Sequence, residues 1–292
     1  MSDRAVSVVI PTHNHGHFIK ETIQCVLGQT FQDFEIIIVD NGSVDNTREI
    51  VSSIEDERIF YHWQEDSGLP ANSRNVGVKL AKTGLIAFLD SDDRWYPEKL
   101  KKVMEVFESH PNVYLVCHNE YVIKDGKKIG KSDYGPYVDD MYEKLLFEGN
   151  CLSTSAVVVK KEKLIEAGMF TERKDFLSVE DYDLWLKLAV KKNKFFFLED
   201  ILGEYILHES NVSSNIEMHY NNLFAVRDVH YGELARKESL KVVKALKRRA
   251  RSRVGLIRDL LKSGNFYKAG LYLFKLPYEM FKSYRIYKKF IT

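Results

Sequence analysis

The 292-residue sequence has few cysteines and no long apolar run, and both absences narrow the class of protein. Its three cysteines, Cys25, Cys117 and Cys151, are odd in number and scattered, which argues against a disulfide framework and against the paired spacing of a structural zinc site. No apolar run reaches the roughly 18 residues that a membrane span needs. The first residues also lack the pattern of a secretory signal, so we expect a cytoplasmic protein.

Two glycine-rich phosphate-binding motifs are absent as well. No G-x-G-x-x-G follows the first apolar strand, and no G-x-x-x-x-G-K-[ST] occurs in the sequence. A dinucleotide-binding fold and a P-loop are therefore both disfavoured. If the chain binds a nucleotide, the phosphate charge has to be neutralised in another way, and a divalent metal ion held by carboxylates would do so.

The near-neutral net charge of +1 conceals a strong asymmetry along the chain. Residues 236–292 contain 17 Lys and Arg against 3 Asp and Glu, a net charge of +14, so residues 1–235 carry a net charge of −13. A basic tail indicates a polyanionic partner, such as a membrane surface, a phosphorylated acceptor or a nucleic acid. We do not expect nucleic acid, because the acidic body would repel its phosphates.

Apolar strand patterns alternate with helical patterns through the first third of the chain. Strands are predicted at 6–10, 34–39, 59–63 and 85–89, and helices begin near Phe18, Asp45 or Asn46, Pro70 and Pro97. Four repeats of strand, loop and helix predict a mostly parallel sheet with right-handed crossovers. Polar residues follow three of these strands, so we expect them to converge on one crevice at the sheet edge.

The second half has a more mixed pattern. Strands are predicted at 113–122, 154–159, 195–198 and 202–207, with a hairpin turn at Asp125-Gly126. A helix begins after Ser178, which together with Asp181 resembles a capping box in outline.

The segment Asp90-Ser91-Asp92-Asp93 brings three acids to the end of the fourth strand. Carboxylates one residue apart can bind the same magnesium or manganese ion, whereas the alternative is a solvated acidic turn that caps the next helix. Glu180 and Asp181 have a similar alternative, because acids are favoured in the first turn of any helix. A lone histidine after a strand, as His208 is, serves a structural role more often than it binds a ligand.

Together these segments resemble the family 2 glycosyltransferases over about residues 5–215. Six blocks carry the resemblance in order: Val8-Val9-Ile10-Pro11-Thr12-His13-Asn14, Phe34 to Ser43 with Asp45 and Thr47, Ser73-Arg74-Asn75-Val76-Gly77, Phe88 to Asp93, Glu180-Asp181 with Trp185, and Tyr205 to His208 with Ser213. The resemblance implies a GT-A-type α/β nucleotide-binding fold and an inverting transfer of sugar from a nucleotide sugar, UDP-linked by preference, with Mn²⁺ or Mg²⁺ as cofactor.

The resemblance also implies roles for single residues. Asp181 is the expected catalytic base, Asp92 and His208 are the expected metal ligands, and Glu180 and Trp185 lie on the acceptor side. Because Asp181 and Trp185 are four residues apart and share a helix face, we expect Trp185 to form an apolar wall beside the acceptor. The expected donor-binding residues are Pro11, Thr12, Asn14, Asp40, Arg74, Asp90, Ser91 and Ser213. A carboxylate at a helix N-terminus is a weak base unless burial or the neighbouring Glu180 raises its pKa.

Some features depart from the family pattern. Asn41 and His13 replace the more usual Asp and Tyr near the nucleoside, and the Q-x-x-R-W segment of processive synthases is absent. We therefore expect an enzyme that adds one sugar to a saccharide or lipid-linked acceptor in surface polysaccharide or glycolipid assembly. A non-catalytic GT-A-like binding module at the membrane and a nucleotidyltransferase are the alternatives, although the first loop lacks the glycine-rich basic sequence of the latter.

The predicted organisation has two parts. Residues 1–215 form the GT-A domain, with the nucleotide-binding part at about 1–110 and the acceptor side at about 111–215. Residues 216–292 form a helical, basic and aromatic-rich segment. In 239–261 the apolar residues recur three or four apart, which fits either a helix packed on the domain or an interfacial helix on the anionic inner face of the membrane.

Overall fold

The computed structural model describes residues 5–191, 194–209, 211–237 and 242–288, which form nine strands and ten α-helices. The strands are β1 (Val6–Thr12), β2 (Phe34–Asn41), β3 (Ile59–Gln64), β4 (Leu85–Phe88), β5 (Arg94–Trp95), β6 (Val113–Lys124), β7 (Lys127–Ser132), β8 (Val157–Lys160) and β9 (Lys194–Leu207). The helices are α1 (Gly16–Leu27), α2 (Thr47–Ser52), α3 (Pro70–Leu80), α4 (Lys99–Ser109), α5 (Met141–Glu148), α6 (Lys161–Glu166), α7 (Glu180–Val190), α8 (Ile216–Lys237), α9 (Val242–Lys262) and α10 (Phe266–Lys288).

One sheet joins all nine described strands in the order β3-β2-β1-β4-β8-β6-β9-β5, with β7 paired to β6. β1 to β4 are parallel, and β8 lies antiparallel between β4 and β6. The chain first builds outward from β1 to β3 and then returns to place β4 on the other edge of β1. This reversal between β1 and β4 is the position where open α/β sheets bind ligands at the carboxyl ends of their strands.

Successive residues of the central strands point to opposite faces, and both faces are covered by helices. Val8 and Ile10 pack with α1 and α4 residues in one cluster, whereas Val9 packs with residues of α3, α5 and α7 in another. Gly77 allows α3 to lie directly on β1, because a Cβ at this position would be 2.3 Å from Cγ1 of Val9. This close packing brings the first turns of α3 to the sheet edge where β1 and β4 end.

The predicted α/β fold, its parallel first half and the Asp125-Gly126 hairpin are confirmed. Some predicted strand boundaries were wrong. β1 continues through Pro11 to Thr12, since β4 pairs with β1 only as far as Val9 and proline is tolerated where a strand is bonded on one side. β8 begins only at Val157.

The predicted strands 195–198 and 202–207 are one strand, β9. β9 stays paired with β6 across a register shift, in which Leu198 pairs with His118 and Ile201 pairs with Asn119. Glu199 and Asp200, which lie between the two predicted strands, are therefore accommodated in a β-bulge rather than in a loop.

The C-terminal segment is helical, as predicted. Val226 and Tyr231 of α8 and Ala245 of α9 join the core cluster that contains α5 and α7, while Leu256 and Leu260 of α9 pack in a separate cluster with α8 and α10. Among the described residues, none of the helices has both the length and the apolar character to cross a membrane. The division at residues 215 and 216 stays a prediction.

Candidate active site

The acidic turn after β4 is held in place from two sides. His15, in the loop after β1, lies with Nδ1 2.7 Å from Oγ of Ser91, and Thr22 of α1 donates a hydrogen bond to the Ser91 carbonyl at 2.8 Å. Ser91 is buried and thereby fixes the turn against α1. Its predicted contact with the donor stays a prediction.

Asp92 and His208 meet at the sheet edge although they are far apart in sequence. Oδ2 of Asp92 lies 2.8 Å from Nε2 of His208 and 3.3 Å from Nδ2 of Asn211. The described residues contain no group of three or more His, Cys, Asp or Glu side chains that could hold a metal by themselves. Two protein ligands nevertheless fit a magnesium or manganese ion, because these ions are commonly bound through one or two carboxylates together with substrate phosphates and water.

The hydrogen bonds of Asp93 position His208 next to Asp92. Its side chain is buried, with Oδ1 accepting from the backbone N–H of Ile206 at 2.9 Å and Oδ2 accepting from Ser155 Oγ at 2.6 Å. Burial raises the pKa of Asp93 well above its ordinary value. The bond to Ile206 fastens the end of β9 to the acidic turn, and His208 follows two residues later.

Arg74 connects the donor side of the crevice to the acceptor side. Its guanidinium is buried and donates to Oδ1 of Asp90 and to Oε1 of Glu180, each at 2.7 Å. Burial opposes the positive charge, but the two carboxylates outweigh it and raise the pKa of Arg74. The contact of Arg74 with a base or diphosphate stays a prediction, and in this structure its terminal nitrogens bond to protein carboxylates.

Asp181 lies in the first turn of α7 and is half-buried. Its Oδ1 accepts from the backbone N–H of Tyr182 at 2.6 Å, while its Oδ2 makes only long contacts among the described residues, at 3.3 Å to Asn150 Nδ2 and 3.4 Å to Thr154 Oγ1. Burial and the charge of Glu180 raise the pKa of Asp181 to about 6, against the opposing effect of Arg74. A carboxylate with this pKa can accept a proton near neutral pH.

Two expectations about α7 were wrong. Val179 precedes the helix without a side-chain cap, and Ser178 has a positive φ of 68° with its Oγ 3.1 Å from Nδ1 of His219, so no capping box forms. Trp185 is fully buried, and its ring packs edge-on against Phe170 in the core. It cannot form an exposed wall beside an acceptor, because none of its indole surface is exposed.

The predicted nucleoside contacts lie together after β1 and β2. Asp40 is fully buried, with Oδ1 accepting from the Ser43 N–H at 2.8 Å and Oδ2 from the Tyr61 hydroxyl at 2.6 Å. Asn14 adopts a positive φ and accepts a hydrogen bond from a backbone N–H of the β2 loop. Thr12 is buried, and its Oγ1 has no hydrogen-bond partner among the described residues. The donor roles of these residues and of Pro11 stay predictions.

The site includes residues that sequence reasoning missed. Asn150, Thr154 and Ser155 precede β8 and approach Asp181 or Asp93, but the sequence gives no local signal for this. Asn211 could have been suspected from its place in the His208 segment. Ser213 belongs to the short 3-10 helix Val212–Ser214, and its side chain lies outside the described part of the structure.

Comparison with known proteins identifies the class of protein. The sequence pattern of the family described as Glycosyl transferase family 2 matches residues 7–166, and the chain belongs to this family. The predicted family membership is confirmed.

Individual relatives extend the comparison. The chain is 33% identical over 217 residues to an Escherichia coli protein named UDP-Glc:alpha-D-GlcNAc-diphosphoundecaprenol beta-1,3-glucosyltransferase WfgD, covering 74% of this chain and 82% of that protein. It is 31% identical over 215 residues to the putative teichuronic acid biosynthesis glycosyltransferase TuaG of Bacillus subtilis, covering 72% and 82%. An uncharacterized glycosyltransferase of Rickettsia felis is 33% identical, but the match covers 66% of this chain and only 31% of that longer protein.

A solved structure supports the fold assignment. The crystal structure of residues 1–349 of S. aureus TarS in complex with UDP-GlcNAc superposes with a TM-score of 0.66 at 21% identity, covering 98% of this chain and 91% of that one. At this identity the likeness concerns the fold, and it confirms the predicted GT-A architecture with its helical C-terminal region.

Proposed function

We propose that this chain transfers one sugar, with inversion, from a UDP-sugar to a saccharide carried on a lipid diphosphate. The observation that carries the proposal is the Arg74 bridge, which joins Asp90 of the donor side to Glu180, the neighbour of the proposed base Asp181. The relatives support the substrate classes, since WfgD is named for a UDP-glucose donor and a diphosphoundecaprenol acceptor, and TarS is solved with UDP-GlcNAc.

The side chains account for a single displacement. Asp181 takes the proton of the acceptor hydroxyl while that oxygen attacks the anomeric carbon, and the bond from this carbon to the diphosphate oxygen breaks with its electron pair leaving on the diphosphate. Oδ2 is the oxygen suited to this step, because its contacts to Asn150 and Thr154 are long. A divalent ion held by Asp92 and His208 would neutralise charge on the leaving diphosphate. Thr12, Asp40 and their neighbours would bind the nucleoside.

The donor and metal requirement give the direct test of the function. We expect turnover of at least one donor in a panel of UDP-, GDP- and dTDP-sugars with Mn²⁺, measured as release of free nucleotide, and loss of that turnover with EDTA. Asp92→Asn should weaken Mn²⁺-dependent UDP binding by roughly 100-fold or more, since even outer-shell partners of metal ligands contribute about 10- to 100-fold. Titration calorimetry measures this change.

Asp200→Asn provides the matched control, because Asp200 lies in the bulge of β9 and pairs with Lys102 instead of facing the crevice. It should bind UDP and Mn²⁺ as the unmodified protein does. If no donor is bound or turned over with any metal, the proposed function is wrong, and UDP binding without turnover would favour the non-catalytic binding module.

We further propose that α10 rests on the anionic inner face of the membrane. One side of this helix exposes the aromatic face, defined here as Phe266, Tyr267, Phe274, Tyr278 and Phe281, with Phe274 87% exposed. The opposite side packs on α8 and α9 through residues that include Ala269 and Tyr272. An exposed aromatic arc within a tail of net charge +14 matches a bilayer that offers both an apolar interior and anionic headgroups.

Vesicle binding tests this surface. Replacing Phe274 and Phe281 together with Ser should weaken binding to phosphatidylglycerol vesicles by about 100-fold or more, because burial of each phenyl ring contributes about 1.5–3 kcal/mol. Phe60→Ser is the control, since Phe60 is half-exposed on β3, in the other half of the molecule. Unchanged vesicle flotation would show that the aromatic face serves another partner. A change in the mass measured by sedimentation would show that this partner is a second copy of this chain.

A further inference from the structure

A basic cavity of about 460 Å³ lies between α5 and α9. Five cationic side chains contribute to its lining. They are Lys144 of α5 and Lys244, Lys247, Arg248 and Arg251 of α9. The cavity is separate from the crevice that holds Asp92 and His208, and the reaction described above uses none of its cations.

The acids around the basic cavity neutralise only part of its charge. Glu148 pairs with Lys144 at 3.0 Å, and Glu143 pairs with Lys244 at 2.5 Å. Asp140 caps α5 by accepting from the backbone N–H of Glu143 at 2.8 Å. Two of the five cations are therefore already balanced by carboxylates of the protein.

The remaining cations, Lys247, Arg248 and Arg251, have no ion pair among the residues that the structure describes. Nε of Arg248 is buried and has no hydrogen-bond partner there. Burial and the nearby Arg227 lower the pKa of Arg248. Five cations against the carboxylates of Asp140, Glu143 and Glu148 leave the lining of the cavity with a net charge of +2, which favours a multiply charged anion.

The basic cavity adjoins the acceptor side of the candidate active site. The guanidinium of Arg248 packs on the backbone of Gly149, so closely that a Cβ there would lie 2.5 Å from its Nη2. The next residue, Asn150, places Nδ2 3.3 Å from Oδ2 of Asp181. The backbone of Gly149 thus lies between the guanidinium of Arg248 and Asn150, whose side chain contacts the proposed base Asp181.

We propose that the basic cavity binds the diphosphate of the acceptor, held by Arg248, Arg251 and Lys247, while the acceptor sugar lies at Asp181. This inference rests on the proposed function for the identity of the anion. Arginine is suited to this role because its planar guanidinium can donate two parallel hydrogen bonds to phosphate oxygens. The cavity would then select acceptors whose sugar carries a 1-diphosphate.

The test compares two acceptors and two kinds of variant. The acceptors are a sugar 1-diphosphate with a short alkyl chain and the matching alkyl glycoside without phosphate. In Arg248→Gln and in Arg251→Gln, the preference for the diphosphate acceptor, measured as the ratio of kcat/KM values, should fall roughly 10- to 100-fold, as expected for a lost hydrogen bond to a charged group. Arg251 is exposed, so its variant also answers the question if Arg248→Gln fails to fold.

Arg258→Gln is the matched control, since Arg258 is an exposed arginine of α9 that pairs with Asp259 away from the basic cavity. It should keep the acceptor preference. A preference that stays unchanged in the Arg248 and Arg251 variants overturns the inference while leaving the transferase function in place. Loss of phosphatidylglycerol vesicle binding with unchanged acceptor preference also overturns it, because the cations would then serve lipid headgroups.

A binding measurement separates this inference from the proposed function. Inorganic pyrophosphate, titrated in EDTA, should bind the unmodified protein and Arg258→Gln, and should bind Arg248→Gln roughly tenfold more weakly or worse. This result does not depend on donor turnover, so a protein without transferase activity would still reveal whether the basic cavity binds a diphosphate. Equal pyrophosphate affinity in all three proteins contradicts the proposal.

Discussion

Asp181→Asn should lower sugar transfer by about 10²- to 10⁴-fold, the range that a general base contributes, while UDP binding stays unchanged. The amide keeps the size of the carboxylate, and its oxygen can still accept from the Tyr182 N–H, but it cannot accept the proton of the acceptor hydroxyl. Transfer measured by nucleotide release, together with calorimetry of UDP, checks both parts. Asp175→Asn is the control, because Asp175 is an exposed aspartate paired with Arg173 just before α7.

The pH dependence gives a second readout of the same residue. Because the pKa of Asp181 is raised to about 6, the base is ionised above pH 6 and becomes protonated below it. kcat/KM should therefore fall about tenfold per pH unit below pH 6, and this limb should vanish from the residual activity of the Asn variant. A variant that retains full transfer, or that keeps the same acidic limb, would show that another group is the base.

Arg74→Met should be strongly destabilising and should also weaken donor binding. The substitution leaves Asp90 and Glu180 without their shared cation, and the loss of one partner from a buried ion pair costs about 3–5 kcal/mol of unfolding free energy. Urea denaturation measures this loss. UDP affinity should fall as well, because Asp90 would no longer be held at the carboxyl end of β4.

Arg173→Met provides the comparison for Arg74. Arg173 also bonds a carboxylate, that of Asp175, but both side chains are about half-exposed, so the variant should lose less than about 1 kcal/mol. Arg74→Lys keeps the charge but cannot reach two carboxylates with a planar fork, and we expect intermediate stability. Similar small losses in the Arg74 and Arg173 variants would contradict the structural role given to the bridge.

The parts of the fold that the sequence predicts are those with local causes. β1, β2 and β4 are apolar on both faces because helices cover both sides of the sheet there, whereas the edge strand β3 is only partly buried. Pro70 begins α3 as expected for the first helical turn. The positions of Asp90 and Asp92 follow from the strand that precedes them. The family resemblance added Asp181, which local periodicity alone would have left as an ordinary acid in a first helical turn.

The parts that sequence reasoning missed depend on distant partners. Arg74 and Glu180 are 106 residues apart, and no spacing rule connects them. Trp185 shares a helix face with Asp181 by spacing, yet tertiary packing against Phe170 decides that its ring is buried. The continuity of β9 depends on a bulge opposite Asn119, which becomes visible only when both strands are in place.

The bond from Asp93 to Ile206 bears on how this chain can change in evolution. Each residue of a strand advances about 3.3 Å and reverses the side-chain face, so one residue inserted between Ile206 and His208 would turn the histidine away from Asp92. Insertions at the bulge of Glu199 and Asp200 would be absorbed before that bond and leave the distance intact. Natural length variation in β9 should therefore concentrate at the bulge and avoid the stretch from Ile206 to His208.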